Sequence, residues 1–345
     1  MKMKRFGRAA HRTSPSRLKR NMRKRARKTK FSLEVKTLLF KYVAKRLLLL
    51  IPVVIGITLF IYVILSAAPG DPAQLILGMD ASEEELVAKR AELGLDQPVL
   101  VQYFNYLIKV LQGDFGASWL SGYQVLPEFL HRLPNTIILG TLAMAFAVLL
   151  GIPLGIVSAI KQNSVIDYFS LALAVILFSL PAFWFGMMAQ LFFCLQLGWL
   201  PASGVGTPAH FVLPALTLGA NVLASQLRMT RTSMLDVVKQ DFIRTARAKG
   251  ASERRVVMKH VLRNGMLPVV TQVGISYASC MGGSVVTESV FSIPGIGSLL
   301  INAVKSRDIP VVMGTIIFVA LIVGVINLLV DLLYALIDPR VKLAK

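Results

Sequence analysis

Few side chains in this sequence have the chemistry to cut, transfer or ligate, and their spacing excludes most of what they could do. The four histidines, His11, His131, His210 and His260, are scattered over different segments. None sits in an HExxH pattern or a comparable ligand spacing, so no metal site is read. Cys194 and Cys280 lie inside apolar stretches and form no CxxC pair. They suit neither a zinc site nor a disulfide framework and read as packing residues. Ser203 has a glycine only at Gly204, which is not a GxSxG elbow. No GxxxxGK[ST] phosphate loop occurs, so ATP is not bound and hydrolysed by this chain. We read no catalytic residue and no cofactor held by the chain itself. Three polar residues in apolar surroundings are candidates for a pathway or gate: Glu288, Asn327 and Asp331. Glu288 sits at the outer end of one apolar stretch; a charge fully inside lipid costs about 2.5–3.5 kcal/mol, so it should face protein or water. It either lines a pathway or gate, or caps the turn that follows. Asn327 and Asp331 are one helical turn apart near the inner half of the last apolar stretch, placed to face the bundle.

A basic, polar island interrupts the apolar chain from Asp241 to Pro268, reading DFIRTARAKGASERRVVMKHVLRNGMLP. Val237, Val238, Phe242, Ala246 and Gly250 recur at helical spacing. Ala246 and Gly250 carry almost no side chain, so another protein can approach the backbone there. Gly250 ends the helix, and Ser252 before Arg254 and Arg255 starts a second one. Two readings fit: a helix-turn-helix outside the membrane built to be gripped, or an ordinary basic loop on the inner side.

At these residues the chain resembles a family. Arg244-Thr-Ala-Arg-Ala-Lys-Gly250, followed by His260-Val-Leu-Arg-Asn264 and Leu267-Pro268, is similar to the EAA loop of ABC-importer permeases. Within these it most resembles the first permease subunit of dipeptide, oligopeptide and nickel importers. The usual loop opens Glu-Ala-Ala, where this chain has Arg244, Thr245 and Ala246. The general pattern has Leu-Pro where this chain has Leu262-Arg263, and Pro268 comes later. Both departures resemble the peptide and nickel branch. The strings Ala68 to Pro72, Leu93 to Pro98, Gly113 to Ser118 and Arg132 to Thr136 resemble the same subunit. The likeness runs from about Lys41 to Lys342.

The elements that would position these residues are membrane spans. The chain has 345 residues, 55% hydrophobic and only 16% charged, and its apolar residues come in blocks long enough to cross a bilayer. Residues 1–30 hold fourteen Lys or Arg and no acid. They read as a disordered cytoplasmic tail that meets anionic lipid, with a nucleic-acid arm disfavoured for want of interleaved aromatics. The tail is taken as 1–40 and a six-helix transmembrane domain as 41–345. Span one is Leu47 to Ala67, its N-terminal side held inside by Lys41, Lys45 and Arg46. Residues about 69–134 form a large external loop with nine acids and four bases. In it Ser82 and Glu85 suggest a capping box, and Val99 to Leu111 an amphipathic helix. Span two is Thr136 to Ile160, where Gly151 and Gly155 flank Pro153, either a packing face or a hinge. Tyr168 to about Gly198 would measure roughly 46 Å as one straight helix against a core near 30 Å, so Pro181 marks a bend. Span four is Phe211 to about Leu227, and the inner loop about 228–264 holds ten bases and three acids. Leu267 to Val290 and Val311 to Ile337 complete six spans, with both termini inside.

The resemblance implies an all-α fold of the type I ABC-importer permease class in a bacterial or archaeal plasma membrane. It implies a second homologous permease subunit, two ABC ATPase subunits that use ATP and Mg, and an external solute-binding protein. It assigns coupling to the ATPase subunit to Arg244, Thr245, Ala246, Ala248, Lys249, Gly250 and Ala251. Substrates would be di- or oligopeptides, with nickel, a metal chelate or glutathione-like compounds as alternatives. A stand-alone secondary transporter or channel is one rival, which no internal repeat supports, and a membrane scaffold working through its basic tail is another.

Overall fold

In the computed structural model of the chain, which describes residues 15–68 and 70–337, fourteen α-helices follow one another and no β-strand occurs among the described residues. Helix α1 spans Pro15–Ala67. The disorder expected over the basic tail is corrected for residues 15–30. Arg, Lys, Leu, Met and Ala are strong helix formers, and nothing after Pro15 interrupts them before Pro52. Residues 1–14 of that tail lie outside the described residues.

Three short helices, α2 (Pro72–Leu77), α3 (Glu83–Glu92) and α4 (Val99–Leu111), build the segment after span one. Ser82 and Glu85 form the reciprocal capping box at the start of α3. Tyr103 of α4 is fully buried, and its hydroxyl donates to the Ile55 carbonyl of α1 at 2.8 Å. This bond ties the segment after span one to α1.

Helix α5 (Val125–Ile160) begins before its apolar pattern does, inside the stretch read as external. Val125 and Phe129 are buried there, Phe129 with its ring 4.6 Å from that of Phe318. The helix runs through Pro134 and Pro153. Helix α6 (Val165–Ser179) and α7 (Ala182–Ala189), continued by a π-helical turn Gln190–Gln196, are bent 99° apart at Leu180 and Pro181. A 3₁₀ turn Pro208–Phe211 leads into α8 (Val212–Val238). The chain then forms α9 (Asp241–Ala248), α10 (Glu253–Arg255), a π turn Val256–Val261 and α11 (Leu262–Gly283). Last come α12 (Val285–Val290), α13 (Ile296–Lys305) and α14 (Ile309–Ile337).

Helix α8 is the centre of the bundle and α5 packs along it most extensively. Glycines set that contact. A Cβ at Gly151 would lie 2.9 Å from the Leu223 carbonyl oxygen, and one at Gly155 2.7 Å from that of Leu227. Close backbone approach of this kind is how helices associate in lipid, where burial between helices gains little.

Among the described residues, four segments are long and apolar enough to cross a membrane: Lys41–Ala67, Val125–Ile160, Pro208–Val238 and Ile309–Leu333. The bent α6–α7 pair makes a fifth. Helix α11, expected within span five, is not among them. Thr271, Gln272, Ser276, Tyr277 and Ser279 lower its hydropathy, and several of these bond to neighbouring helices rather than facing lipid. Close approach on α11 is made by Gly265 against Met234 and Gly274 against Val330, whereas nothing lies within 4 Å of a Cβ at Gly282.

Candidate functional site

The polar island folds as a compact projection at one end of the bundle. Helix α8 continues well past Arg228 and stops at Val238, so Val237 and Val238 belong to α8 and not to α9. Lys239 and Gln240 turn the chain, and α9 follows with Asp241 in its first turn, where a carboxylate suits the helix dipole. Ile243 is the buried anchor of α9. It packs with Ala159 of α5, Met234 and Val237 of α8, and Val256 and Val261 of the π turn. One isoleucine thus joins α9 to three elements of the bundle.

The turn after α9 is built on Gly250, at φ +78°, the left-handed region that a side chain disfavours. Gly250 N–H donates to the Arg247 carbonyl at 2.9 Å and Ala251 N–H to that of Ala246 at 3.2 Å. These bonds satisfy the last carbonyls of the helix. Arg247 reaches across the turn to Glu253 with both guanidinium and carboxylate edges. The pairing holds the Glu253 carboxyl below the usual carboxylate range.

Arg244, Thr245, Ala248, Lys249 and Gly250 are exposed, and Ala246 and Ala251 half-buried. A cleft of ≈ 450 Å³ opens beside them. Phe242, Thr245, Ala246 and Lys249 form one side, and Arg255, Lys259 and His260 the other. Its lining carries three Lys or Arg and no carboxylate, a surface suited to an acidic partner. The exposed ring of Phe242 and the open space around Gly250 offer an apolar contact inside that charge. Two structural features, the Ile243 anchor and the Arg247–Glu253 pair, are not foreseen in the sequence. Ile243 had a signal in its apolar type within a polar, basic stretch; the Arg247–Glu253 clamp had none beyond opposite charge.

The embedded polar residues separate. Glu288 is fully buried. Its Oε1 accepts from Thr136 Oγ1 of α5 at 2.8 Å and Ser284 Oγ at 2.7 Å, and its Oε2 from Ser298 N–H of α13 at 2.9 Å. The carboxylate therefore caps α13 and ties it to α5 and α12. Asp331 is partly exposed and binds Arg46 and Tyr42 of α1, each at 2.8 Å. Asn327, placed by its spacing toward the bundle, instead lies exposed on α14. The one-turn spacing sets a shared helix face but not what covers it. Pro181 marks the 99° break, while Pro153 lies within continuous helix between the two glycines that meet α8.

Comparison with known proteins decides what this bundle is. The family model described as "Binding-protein-dependent transport system inner membrane component" matches residues 151–343. The chain belongs to that family. The N-terminal model of these binding-protein-dependent systems matches residues 39–140. The glutathione transport system permease protein GsiC of Salmonella typhimurium is 44% identical over 304 residues, covering 88% of this chain and 99% of the relative. GsiC of Escherichia coli is 43% identical over the same length and coverage. Among solved structures, the inward-facing MetNI methionine ABC transporter aligns with a TM-score of 0.51 at 17% identity, over 62% of this chain and 97% of that chain, a likeness of fold. The binding-protein-dependent permease described here is thus a membrane subunit of an ABC importer. Membership in the family brings a partner permease, ATPase subunits and a binding protein in general terms.

Proposed function

We propose that this chain forms one half of the translocation channel for short peptides, with glutathione-like tripeptides inside that class. The match to glutathione permeases over nearly their whole length carries the reading. The chain pairs with one homologous permease subunit and two ABC ATPase subunits, and takes substrate from an external solute-binding protein. It is non-catalytic. Helix α11 with α12 serves as the further crossing, giving six spans in a bacterial plasma membrane with both termini in the cytoplasm. Lys41, Lys45 and Arg46 then lie at the inner leaflet, where basic side chains are favoured.

In the cycle we propose, ATP closes the ATPase pair, and the α9–Gly250 turn moves with it as a rigid body because Ile243 is locked into the bundle. The helices then alternate between inward and outward openings. Asn327 contributes to the pathway only from the face shared with the partner permease. The test is co-purification of the tagged chain in detergent, followed by uptake of labelled glutathione and dipeptides into vesicles holding the purified assembly. Recovery of ATPase subunits and a second permease, with ATP-dependent uptake, supports the reading. A chain that purifies alone and moves solute alone overturns it.

A further inference from the structure

Two arginines of α8 hold α6 at its two ends. Asp167, in the first turn of α6, is only 1% exposed by side chain. Arg231 grips it with both edges, Nε to Oδ1 at 2.7 Å and Nη2 to Oδ2 at 2.9 Å. The same carboxylate accepts from Ser158 Oγ of α5 at 2.5 Å and from Asn163 N–H in the turn before α6 at 2.9 Å. One turn of α8 earlier, the Arg228 guanidinium lies 4.3 Å from the ring centroid of Phe178, near the end of α6. A buried, bidentate and fully bonded charge pair is costly to separate. Helices α6 and α8 are therefore fastened together, and the next place where the chain can give is the break at Leu180 and Pro181.

The other end of this arrangement is the docking helix. Met234 and Val237 follow Arg231 on α8 at helical spacing and pack on Ile243 of α9. Ala159 neighbours Ser158 on α5 and packs in the same cluster. A push on α9 thus reaches Arg231 through α8 and Ser158 through α5, and both end on Asp167. We propose that Asp167 and Arg231 are positioning residues that carry the displacement of α9 to α6, so that movement is taken up at Pro181 and not between α6 and α8. This rests on the reading that α9 contacts the ATPase subunit.

The test uses the assembled importer in vesicles, with ATP hydrolysis and substrate uptake measured together for Asp167→Asn and Arg231→Gln. Both variants should co-purify with the ATPase subunits and hydrolyse ATP close to the wild-type rate. Substrate moved per ATP should fall about tenfold, within the range that coupling residues command. Asp167→Glu keeps the charge but displaces it, and should lower the same ratio less. A wild-type ratio in Asp167→Asn and Arg231→Gln overturns the proposal while leaving the importer reading intact. Failure of both Asp167→Asn and Asp167→Glu to assemble also overturns it, because the pair then holds the fold and not the motion. A wild-type chain that recovers no ATPase subunit defeats the importer reading first, and this proposal with it.

Discussion

Arg247 and Glu253 face each other across the Gly250 turn, with Nε to Oε1 at 2.7 Å and Nη2 to Oε2 at 3.2 Å. Both side chains are exposed, so the pair orders the turn without adding much stability. Its pH dependence has a definite sign. Arg247 holds the Glu253 pKa below its ordinary value. The contribution is therefore complete above the unfolded value near ~4.3 and disappears only as pH falls through the depressed one. Binding of the ATPase subunit should show no Glu253-dependent change between neutral pH and mildly acidic pH. Glu253→Gln should weaken it by less than about fivefold. An association that titrates near neutrality in the wild type and becomes flat in Glu253→Gln would contradict this.

Gly250 separates backbone strain from lost docking. Its φ of +78° disfavours any side chain, while nothing lies within 4 Å of the Cβ it lacks. Gly250→Ala should cost about 1 kcal/mol of local stability and leave the bundle intact. Gly250→Trp adds bulk on the exposed side, and Ala246→Asp puts a negative charge on the same surface. Both should abolish recovery of the ATPase subunit in a pull-down while the chain still inserts and purifies. Normal recovery with either variant would show that this face is not the contact.

Gly155 and Pro153 belong to one turn of α5 but should respond differently to substitution. Gly155 lies against the backbone of Leu227 and against Thr230, both in the buried α5–α8 seam. Gly155→Val should lower stability by about 1–3 kcal/mol through forced separation of the two helices. Pro153→Ala fills no tight space and should leave the melting temperature in detergent near wild type. If Pro153→Ala instead abolishes uptake in a stable protein, a hinge at Pro153 becomes the better account of this turn.

Local breakers made part of this architecture legible. Pro181 and Gly250 act on their own backbone, so the bend between α6 and α7 and the end of α9 are readable from single residues. The Ser82–Glu85 cap is also local. Helix α11 was harder, because a helix enclosed by other helices can carry Gln272 and Ser276 without exposing them to lipid. Asn327 lies exposed for a related reason: periodicity sets which residues share a face, while the neighbour that covers the face is decided by packing. The Asp167–Arg231 pair joins residues 64 positions apart, and no local pattern reports such a contact. Nor does composition set how far the first helix extends, and the helical state of residues 15–30 follows from propensity that a charge count does not weigh.

Glu288 lets capping be distinguished from substrate contact by measurement. Its carboxylate is closed off by Thr136, Ser284 and the Ser298 N–H, and the Ile296 N–H reaches the same knot through Thr136 Oγ1 at 2.9 Å. Removing the carboxylate leaves several buried donors without partners, each worth about 1–3 kcal/mol. Glu288→Ala should therefore destabilise the chain strongly, seen as a lowered unfolding temperature in detergent and reduced yield. Glu288→Gln retains an acceptor for the start of α13 and should fall between that variant and the wild type. Because the group is fully enclosed, uptake per folded molecule and preference among peptides should be unchanged in Glu288→Gln. A stable Glu288→Gln protein with altered peptide preference would instead place this residue on the pathway, with the knot opening during the cycle.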